Sequence, residues 1–324
     1  MGTVRPLLLS LNRTLALPKV GCTSEIKIKT ILFCISLDLH YLCPPMKGLV
    51  SYTLNVRGHL LDLSEPQVMG ILNVTPDSFY AESRMKTEEA IRRRVRQIVE
   101  EGGSMIDVGA YSSRPGADDV SADEEMARLK RGMKIVREEA PEIPVSVDTF
   151  RADVAKMCIE ELGADIINDI SGGELDKEMF HTVAKLGVPY ILMHMKGTPQ
   201  TMQEAPHYDD LMKEVMLYFS EKIQQLRDLG QKDIILDPGY GFAKTLDHNY
   251  ELLVHQEMLS IFELPLLVGV SRKSMIYKLL GCTPDEALNG TTALNTIALQ
   301  KGASILRVHD VKEAVEVVRI VTKL

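Results

Sequence analysis

Eight short apolar runs recur along this chain, and each is followed by a longer segment with helical periodicity. Typical longer segments are TEEAIRRRVRQIVEEG (87–102) and SADEEMARLKRGMKIVREEA (121–140), which carry many charges. The apolar runs are VMGILNVT (68–75), MIDVGA (105–110), VSVDT (145–149), IINDIS (166–171), PYILMHM (189–195), IILDPG (234–239), PLLVGVS (265–271) and ILRVHD (305–310). Strands that alternate with helices in this way predict an α/β fold with a parallel sheet.

Eight strand–helix units in succession favour a (β/α)8 TIM barrel. An open doubly wound sheet is the alternative, but it usually has fewer strands and a glycine-rich turn after the first one. No GxGxxG motif follows GILNVT (70–75), so we expect the barrel. Residues 52–63, YTLNVRGHLLDL, alternate around a central turn and predict an N-terminal β-hairpin.

Residues 1–45 show neither helical nor strand periodicity over any useful length. They end in CPP, and Met46 follows directly. We expect 1–45 to be an irregular N-terminal extension, non-native or from a mis-assigned start, and 46–324 to form the barrel domain. A genuine targeting extension is the alternative. The apolar segment TILFCISL (30–37) is too short, and lies too far into the chain, for a typical signal peptide.

The composition argues against several classes of protein. The formal net charge of −8 is unlike that of a nucleic-acid-binding protein, which usually presents a basic surface. No apolar run reaches the roughly 18–20 residues that a membrane-spanning helix needs. The 5 cysteines include no CxxC pair, which favours free thiols and a cytoplasmic location over a disulfide framework.

Polar side chains cluster where the predicted strands end. In a barrel of this kind, the carboxyl ends of the strands and the loops after them build the active site. The residues at these positions are Asn73, Asp107, Asp148, Asn168, Asp169, His194, Asp237, Ser271, Arg272, Lys273, Arg307 and His309. Because every strand contributes at least one of them, the sequence predicts a site at this rim.

The rim residues divide into two chemical groups. Asp148, Asn168 and Asp237 lie late in their strands, where a carboxylate needs a donor to offset its burial. A flat heterocycle with amino and ring N–H groups supplies such donors. Lys273, Arg307 and His309 would form a cationic end suited to phosphate oxygens. The sequence therefore predicts a ligand that has a heterocyclic ring and a phosphate.

Seven ordered motifs resemble those of dihydropteroate synthase: GILNVTPDSF, IDVGAYSSRPGA, VSVDTF, INDISGG, LDPGYGFAK, GVSRKS and LRVHDV. The resemblance covers roughly Tyr52 to Leu324. It implies an enzyme that joins 7,8-dihydropterin-6-ylmethyl diphosphate to 4-aminobenzoate and releases diphosphate in folate biosynthesis. Members of this family are Mg²⁺-dependent barrels, generally homodimeric, and are targets of sulfonamides.

The resemblance also implies a role for each matching residue. The catalytic set would be Asp148, Lys273, Arg307 and His309. The metal ligand would be Asn73. The residues on the pterin edge would be Asp148, Asn168, Asp237 and Lys273, and those on the diphosphate Arg307, Val308 and His309. The loop residues ordered around the leaving group would be Asp77, Phe79, Ser113 and Arg114. The residues of the aminobenzoate pocket would be Pro115, Phe242 and Ser274.

The chain departs from the family pattern in two motifs. Ser113 stands where Thr is usual, and Ala110-Tyr111 where Gly-Glu is common. Ala243 stands where Gly is usual, which we expect to narrow or stiffen that wall and to affect inhibitor sensitivity more than activity. Two other functions remain open: a pterin-binding methyltransferase domain, and a pterin-binding paralogue without turnover.

Overall fold

The computed structural model describes residues 52–74, 88–111, 120–197 and 206–324. Parallel strands and helices alternate through this part of the chain. The strands are β3 (Gln67–Asn73), β4 (Met105–Gly109), β5 (Val145–Asp148), β6 (Ile166–Asp169), β7 (Tyr190–Met193), β8 (Ile234–Asp237), β9 (Leu267–Val268) and β10 (Ile305–Val308). The α-helices are α1 (Glu88–Glu100), α2 (Ala122–Glu139), α3 (Ala152–Glu160), α4 (Met179–Leu186), α5 (Leu211–Asp228), α6 (Leu246–Val254), α7 (Ser274–Leu280), α8 (Leu288–Gln300) and α9 (Val311–Val321).

The parallel strands form a closed barrel rather than an open sheet. They pair in the order β8-β7-β6-β5-β4-β3-β10-β9. A parallel bridge between Leu236 and Leu266 joins the two ends of this series, and the Leu236 amide donates to the Pro265 carbonyl at 2.9 Å. The predicted (β/α)8 barrel is confirmed. The seventh barrel strand is shorter than its apolar run, because only Leu267–Val268 forms a ladder with β10.

A two-stranded hairpin precedes the barrel, as the sequence predicted. Strands β1 (Thr53–Val56) and β2 (His59–Asp62) pair antiparallel around Arg57 and Gly58. Both turn residues have positive φ, 52° and 79°, as a type I′ hairpin turn requires.

Apolar hairpin residues close the amino-terminal end of the barrel. Leu54, Val56 and Leu63 are buried in one cluster with residues from seven barrel strands, among them Met69 and Met105. The hairpin thus fills one end with side chains and leaves the carboxyl ends of the strands for a ligand. In the described ranges, none of the helices combines the length and the apolar character that crossing a bilayer requires.

Candidate active site

Strand register brings three of the predicted site residues into one row. Asn73 lies beside Gly109 in the pairing of β3 and β4. Asp148 on β5 lies between Gly109 and Asn168. Because neighbouring strands are about 4.8 Å apart, the Asp148 and Asn168 side chains can reach one flat ligand together.

Arg307 lies between two carboxylates at the centre of the rim. Its Nε donates to Oδ2 of Asp107 at 2.6 Å, and its Nη2 donates to Oδ2 of Asp148 at 3.2 Å. The Asp107 side chain is fully buried, whereas the side chains of Asp148 and Arg307 are 18% and 19% exposed to solvent. Both guanidinium contacts are charge-assisted, which fixes the plane of the Arg307 group.

Asp107 also orients the amide of Asn168. Nδ2 of Asn168 donates to the same Oδ2 of Asp107, at 3.2 Å. Oδ1 of Asp107 is buried and has no hydrogen-bond partner among the described residues. The sequence placed Asp107 at the rim but gave it no role, because nothing in IDVG shows which side chains it will contact.

Lys273 is buried against the loop that follows β8. Its Nζ donates to the Tyr240 carbonyl at 2.6 Å and lies 4.7 Å from the centre of the Phe242 ring. Burial lowers the pKa of Lys273 to about 8, although the nearby Asp237 carboxylate opposes the change. Burial raises the pKa of Asp237, and Lys273 opposes that shift in turn. The predicted pterin-edge residues on β8 and after β9 are therefore electrostatic partners.

The surroundings of His309 favour the neutral imidazole, whereas the sequence analysis placed this residue in a cationic end. Burial, followed by the nearby charge of Arg307, lowers the pKa of His309 to about 3. Nδ1 lies 3.1 Å from Oγ of Ser271, and the His309 amide donates to the same Oγ at 3.1 Å. The cationic end of the described rim consists of Lys273 and Arg307.

Comparison with known proteins assigns this chain to a family. A family model for pterin binding enzymes matches residues 69–309. The dihydropteroate synthase of Escherichia coli (strain K12) is 45% identical over 267 residues, which cover 82% of this chain and 94% of that protein. The chain belongs to the dihydropteroate synthase family.

Solved structures of the family agree with the barrel. The Yersinia pestis dihydropteroate synthase in complex with a sulfonamide drug has a TM-score of 0.80 at 43% identity, covering 84% of this chain and 98% of that one. The Xanthomonas albilineans dihydropteroate synthase with 4-aminobenzoic acid has a TM-score of 0.76 at 35% identity, with coverages of 84% and 98%. These matches favour the synthase family over the methyltransferase domain that the sequence analysis left open.

Two further residues implied by the dihydropteroate synthase pattern have distinct positions. Val308 is fully buried, so a ligand contact at this position would come from its backbone. Ser274 is the first residue of α7 and follows Lys273 directly. The predicted place of Ser274 in the aminobenzoate pocket is therefore next to Lys273.

Several residues implied by the family pattern lie outside the described residues. They are Asp77 and Phe79 of the first loop, and Ser113, Arg114 and Pro115 of the second. The expected N-terminal extension, 1–45, also lies there. The roles that the family implies for these residues stay predictions.

Ala243 has a backbone conformation that favours glycine. Its φ is 49°, in the left-handed region where a Cβ is unfavourable. The residue is buried, and its carbonyl accepts a hydrogen bond from the Tyr208 hydroxyl at 2.9 Å. The expected narrowing or stiffening of this wall stays a prediction.

We expect Ala243→Gly to raise the free energy of unfolding by about 1 kcal/mol, because glycine adopts a positive φ without the Cβ penalty. Urea denaturation of the two proteins measures the difference. Ala164→Gly is the matched control, since Ala164 is also buried but is not among the positive-φ residues. Equal or lower stability of Ala243→Gly would contradict the assignment of strain to this position.

Proposed function

We propose that this barrel condenses 7,8-dihydropterin-6-ylmethyl diphosphate with 4-aminobenzoate to give 7,8-dihydropteroate and diphosphate. The observation that carries the proposal is the guanidinium of Arg307, held between Asp107 and Asp148 beside the amide of Asn168. This arrangement offers acceptors to a heterocyclic edge and a fixed cation to an anionic leaving group. Membership of the dihydropteroate synthase family supports the same reaction.

The pterin ring would bind along the acceptors of three strands. Asp148, Asn168 and Asp237 would receive the amino and ring N–H groups, which offsets the cost of the partial or complete burial of their side chains. Lys273 would donate to the ring carbonyl and the N5 side. Its amine is already directed by the Tyr240 carbonyl, so little side-chain entropy remains to be lost on binding.

The reaction would proceed by departure of diphosphate before attack. The bond between the exocyclic methylene and the diphosphate oxygen breaks with both electrons passing to oxygen, and Arg307 stabilises the charge that develops there. The carboxylate of Asp148 favours the cation left on the pterin. The neutral amine of 4-aminobenzoate then forms the new carbon–nitrogen bond and loses one proton.

His309 would contribute to the diphosphate site as a neutral donor. Nδ1 contacts Oγ of Ser271, and Nε2 would be the atom that donates to the diphosphate. A neutral imidazole with its proton on Nε2 donates one hydrogen bond. Binding of diphosphate at this position would therefore not require a charged histidine.

The proposal includes a Mg²⁺ ion, for which Asn73 would be the protein ligand. Among the described residues, no group of three or more His, Cys, Asp or Glu side chains is arranged to hold a metal. Oδ1 of Asn73 lies beside Gly109, where a Cβ would stand 3.2 Å from that oxygen, so the missing side chain leaves room there. One amide oxygen fits an ion that takes its other ligands from water and substrate phosphates. Bound Mg²⁺ would neutralise charge on the leaving diphosphate.

Affinity for the pterin substrate is expected to be greatest between about pH 7 and 8. Burial, with a further contribution from Asp107, raises the pKa of Asp148 to about 7. Below that pH the carboxyl is protonated and loses acceptor capacity, so affinity falls as pH decreases. Above about pH 8, Lys273 loses its proton and its attraction for the ligand. Calorimetric titration of the pterin diphosphate from pH 5.5 to 9 measures the profile.

Asp148→Asn is the control for the acidic limb of this profile. The amide does not titrate, so the fall in affinity below about pH 7 is expected to disappear while the alkaline limb remains. An unchanged acidic limb in this variant would assign that limb to another group.

The direct test of the proposed function uses the purified full-length chain with pterin diphosphate, 4-aminobenzoate and Mg²⁺. Dihydropteroate is followed by chromatography, and diphosphate release by a coupled assay. Equal amounts of the two products, lost on chelation of the metal and restored by Mg²⁺, are expected. Pterin binding without either product would instead support the inactive paralogue.

The proposal extends to a homodimer in the cytoplasm. Apolar side chains exposed on α6 and α7 support the dimer, since Val254, Leu279 and Leu280 keep 55–56% of their exposure. The location rests on the free cysteines, of which Cys158 is buried and Cys282 half-buried. Sedimentation equilibrium of the purified chain tests the oligomeric state.

A further inference from the structure

Lys244 is a buried lysine whose ammonium faces main-chain carbonyls. It precedes α6, keeps 4% of its exposure, and donates from Nζ to the carbonyls of Gly239 and Phe242 at 3.0 and 3.1 Å. Nδ1 of His194 lies 3.1 Å from the same Nζ. None of the ion pairs among the described residues includes Lys244. The printed contacts of Nζ are thus all with uncharged groups, and they include the His194 carbonyl at 3.4 Å.

These bonds connect the end of β7 to the loop after β8. Nζ of Lys244 and Nδ1 of His194 are within hydrogen-bond distance, and burial lowers the pKa of both side chains, that of Lys244 to about 7. The His194 ring packs edge-on against Tyr218, with 4.9 Å between ring centres. His194 thus contacts both Lys244 and Tyr218, and it supports the site indirectly.

The loop 238–243 itself is tightly wound. Gly239, Gly241 and Ala243 have φ values of 69°, 81° and 49°, so every second residue is left-handed. A side chain on Gly239 would clash with the carbonyl oxygen of His194, which shows how closely the loop approaches β7. A loop that contains two glycines and one unfavourable alanine needs external contacts to hold one conformation.

The opposite side of the loop contacts Lys273. The Tyr240 carbonyl accepts from its Nζ, and the Phe242 ring lies 4.7 Å from that atom. At Gly241, a Cβ would stand 3.2 Å from Cδ of Lys273, so the lysine stem lies directly over the glycine. Three consecutive loop residues thus determine where this side chain can lie.

We propose that Lys244 is a positioning residue that holds the loop 238–243 in the conformation that sets Phe242 and Lys273, and thereby determines the affinity for 4-aminobenzoate. Lys244 acts through the backbone of the loop and touches no reacting atom. The inference rests on the proposed function for the identity of the substrate, but the conformation of the loop can be measured without turnover.

The test compares Lys244→Met with Lys222→Met. Lys222 has a side chain that keeps 13% of its exposure, lies over the rings of Phe180 and Tyr218, and contacts neither the loop nor Lys273. The KM for 4-aminobenzoate is expected to rise about tenfold in Lys244→Met, equivalent to about 1.4 kcal/mol. It should stay unchanged in Lys222→Met. Hydrogen exchange of the amides of 239–243 should accelerate in the Lys244 variant alone.

A double-mutant cycle with Phe242→Ala distinguishes positioning from general loss of stability. If Lys244 acts through Phe242, the KM of the double variant should not exceed that of the worse single variant. Multiplied effects, or unchanged KM and exchange in Lys244→Met, would overturn the proposal. Should Lys244→Met not fold, Lys244→Gln, which has fewer donors than the ammonium, takes its place in each measurement.

The wild-type chain is assayed first under the same conditions. Its failure to form dihydropteroate would count against the proposed function. The hydrogen-exchange comparison would still decide whether Lys244 holds the loop.

Discussion

Arg307→Ala is expected to lower kcat/KM for dihydropteroate formation about 10³-fold, the range found when a preorganised charge donor is removed from an active site. The side chain is oriented by Asp107 at 2.6 Å and by Asp148 at 3.2 Å, so it faces the leaving group without reorganisation. Its loss also leaves two carboxylates without their shared cation. Single-turnover and steady-state assays with pterin diphosphate and 4-aminobenzoate measure the change.

Two variants control for charge and for folding. Arg307→Lys keeps the charge but not the planar fork, so we expect an activity between those of the wild type and the alanine variant. Arg137→Ala removes an arginine that pairs with the buried Asp165 at 2.8 Å near the amino-terminal end of the barrel. We expect its kcat/KM to equal that of the wild type. An active Arg307→Ala would remove this residue from the proposed mechanism.

Asp107→Ala is expected to lower the free energy of unfolding by about 3–5 kcal/mol, the usual result of breaking one side of a buried ion pair. Oδ2 of Asp107 accepts from both Arg307 and Asn168, so the substitution leaves the half-buried Arg307 Nε and the buried Asn168 amide without this acceptor. Activity should fall as well, because Arg307 and the Asn168 amide lose their orientation. Urea denaturation and the product assay measure the two effects.

Asp165→Ala is the matched control for this variant. Asp165 is also buried and accepts from two arginines, but it lies before β6, at the opposite end of the barrel. We expect it to lose stability like Asp107→Ala while keeping its kcat/KM at a temperature where it is folded. Equal activity of both variants would show that Asp107 contributes to stability alone.

The fold followed from repeated local patterns. Each strand is an apolar run bounded by polar residues, and the longer helices α1, α2 and α5 show a charged face and an apolar one, so the element types and their order could be predicted. Glycine and alanine at positions 241 and 243 gave no comparable signal. Their left-handed φ values became apparent only with the loop built around Lys244.

Within the site, residue type predicted which side chains reach the rim but not their charge state or partners. Lys273 and His309 both belong to recognisable motifs, yet burial affects their charges differently. Burial, followed by the nearby charges of Arg307 and other cations, lowers the pKa of His309 to about 3, which favours the neutral imidazole near pH 7. Lys273 begins from a much higher pKa, and Asp237 opposes the shift.

The sequence by itself determined the barrel, the end at which its site lies and the family to which it belongs. Periodicity, strand endings and ordered motifs are local properties, and they persist in an unfolded chain. Only the tertiary structure decided that Asp107 shares one oxygen between Arg307 and Asn168, and that Lys244 contacts His194 at the end of β7. Those contacts join residues 50 to 200 positions apart. Their energies depend on distance and burial, which exist only once the barrel has closed.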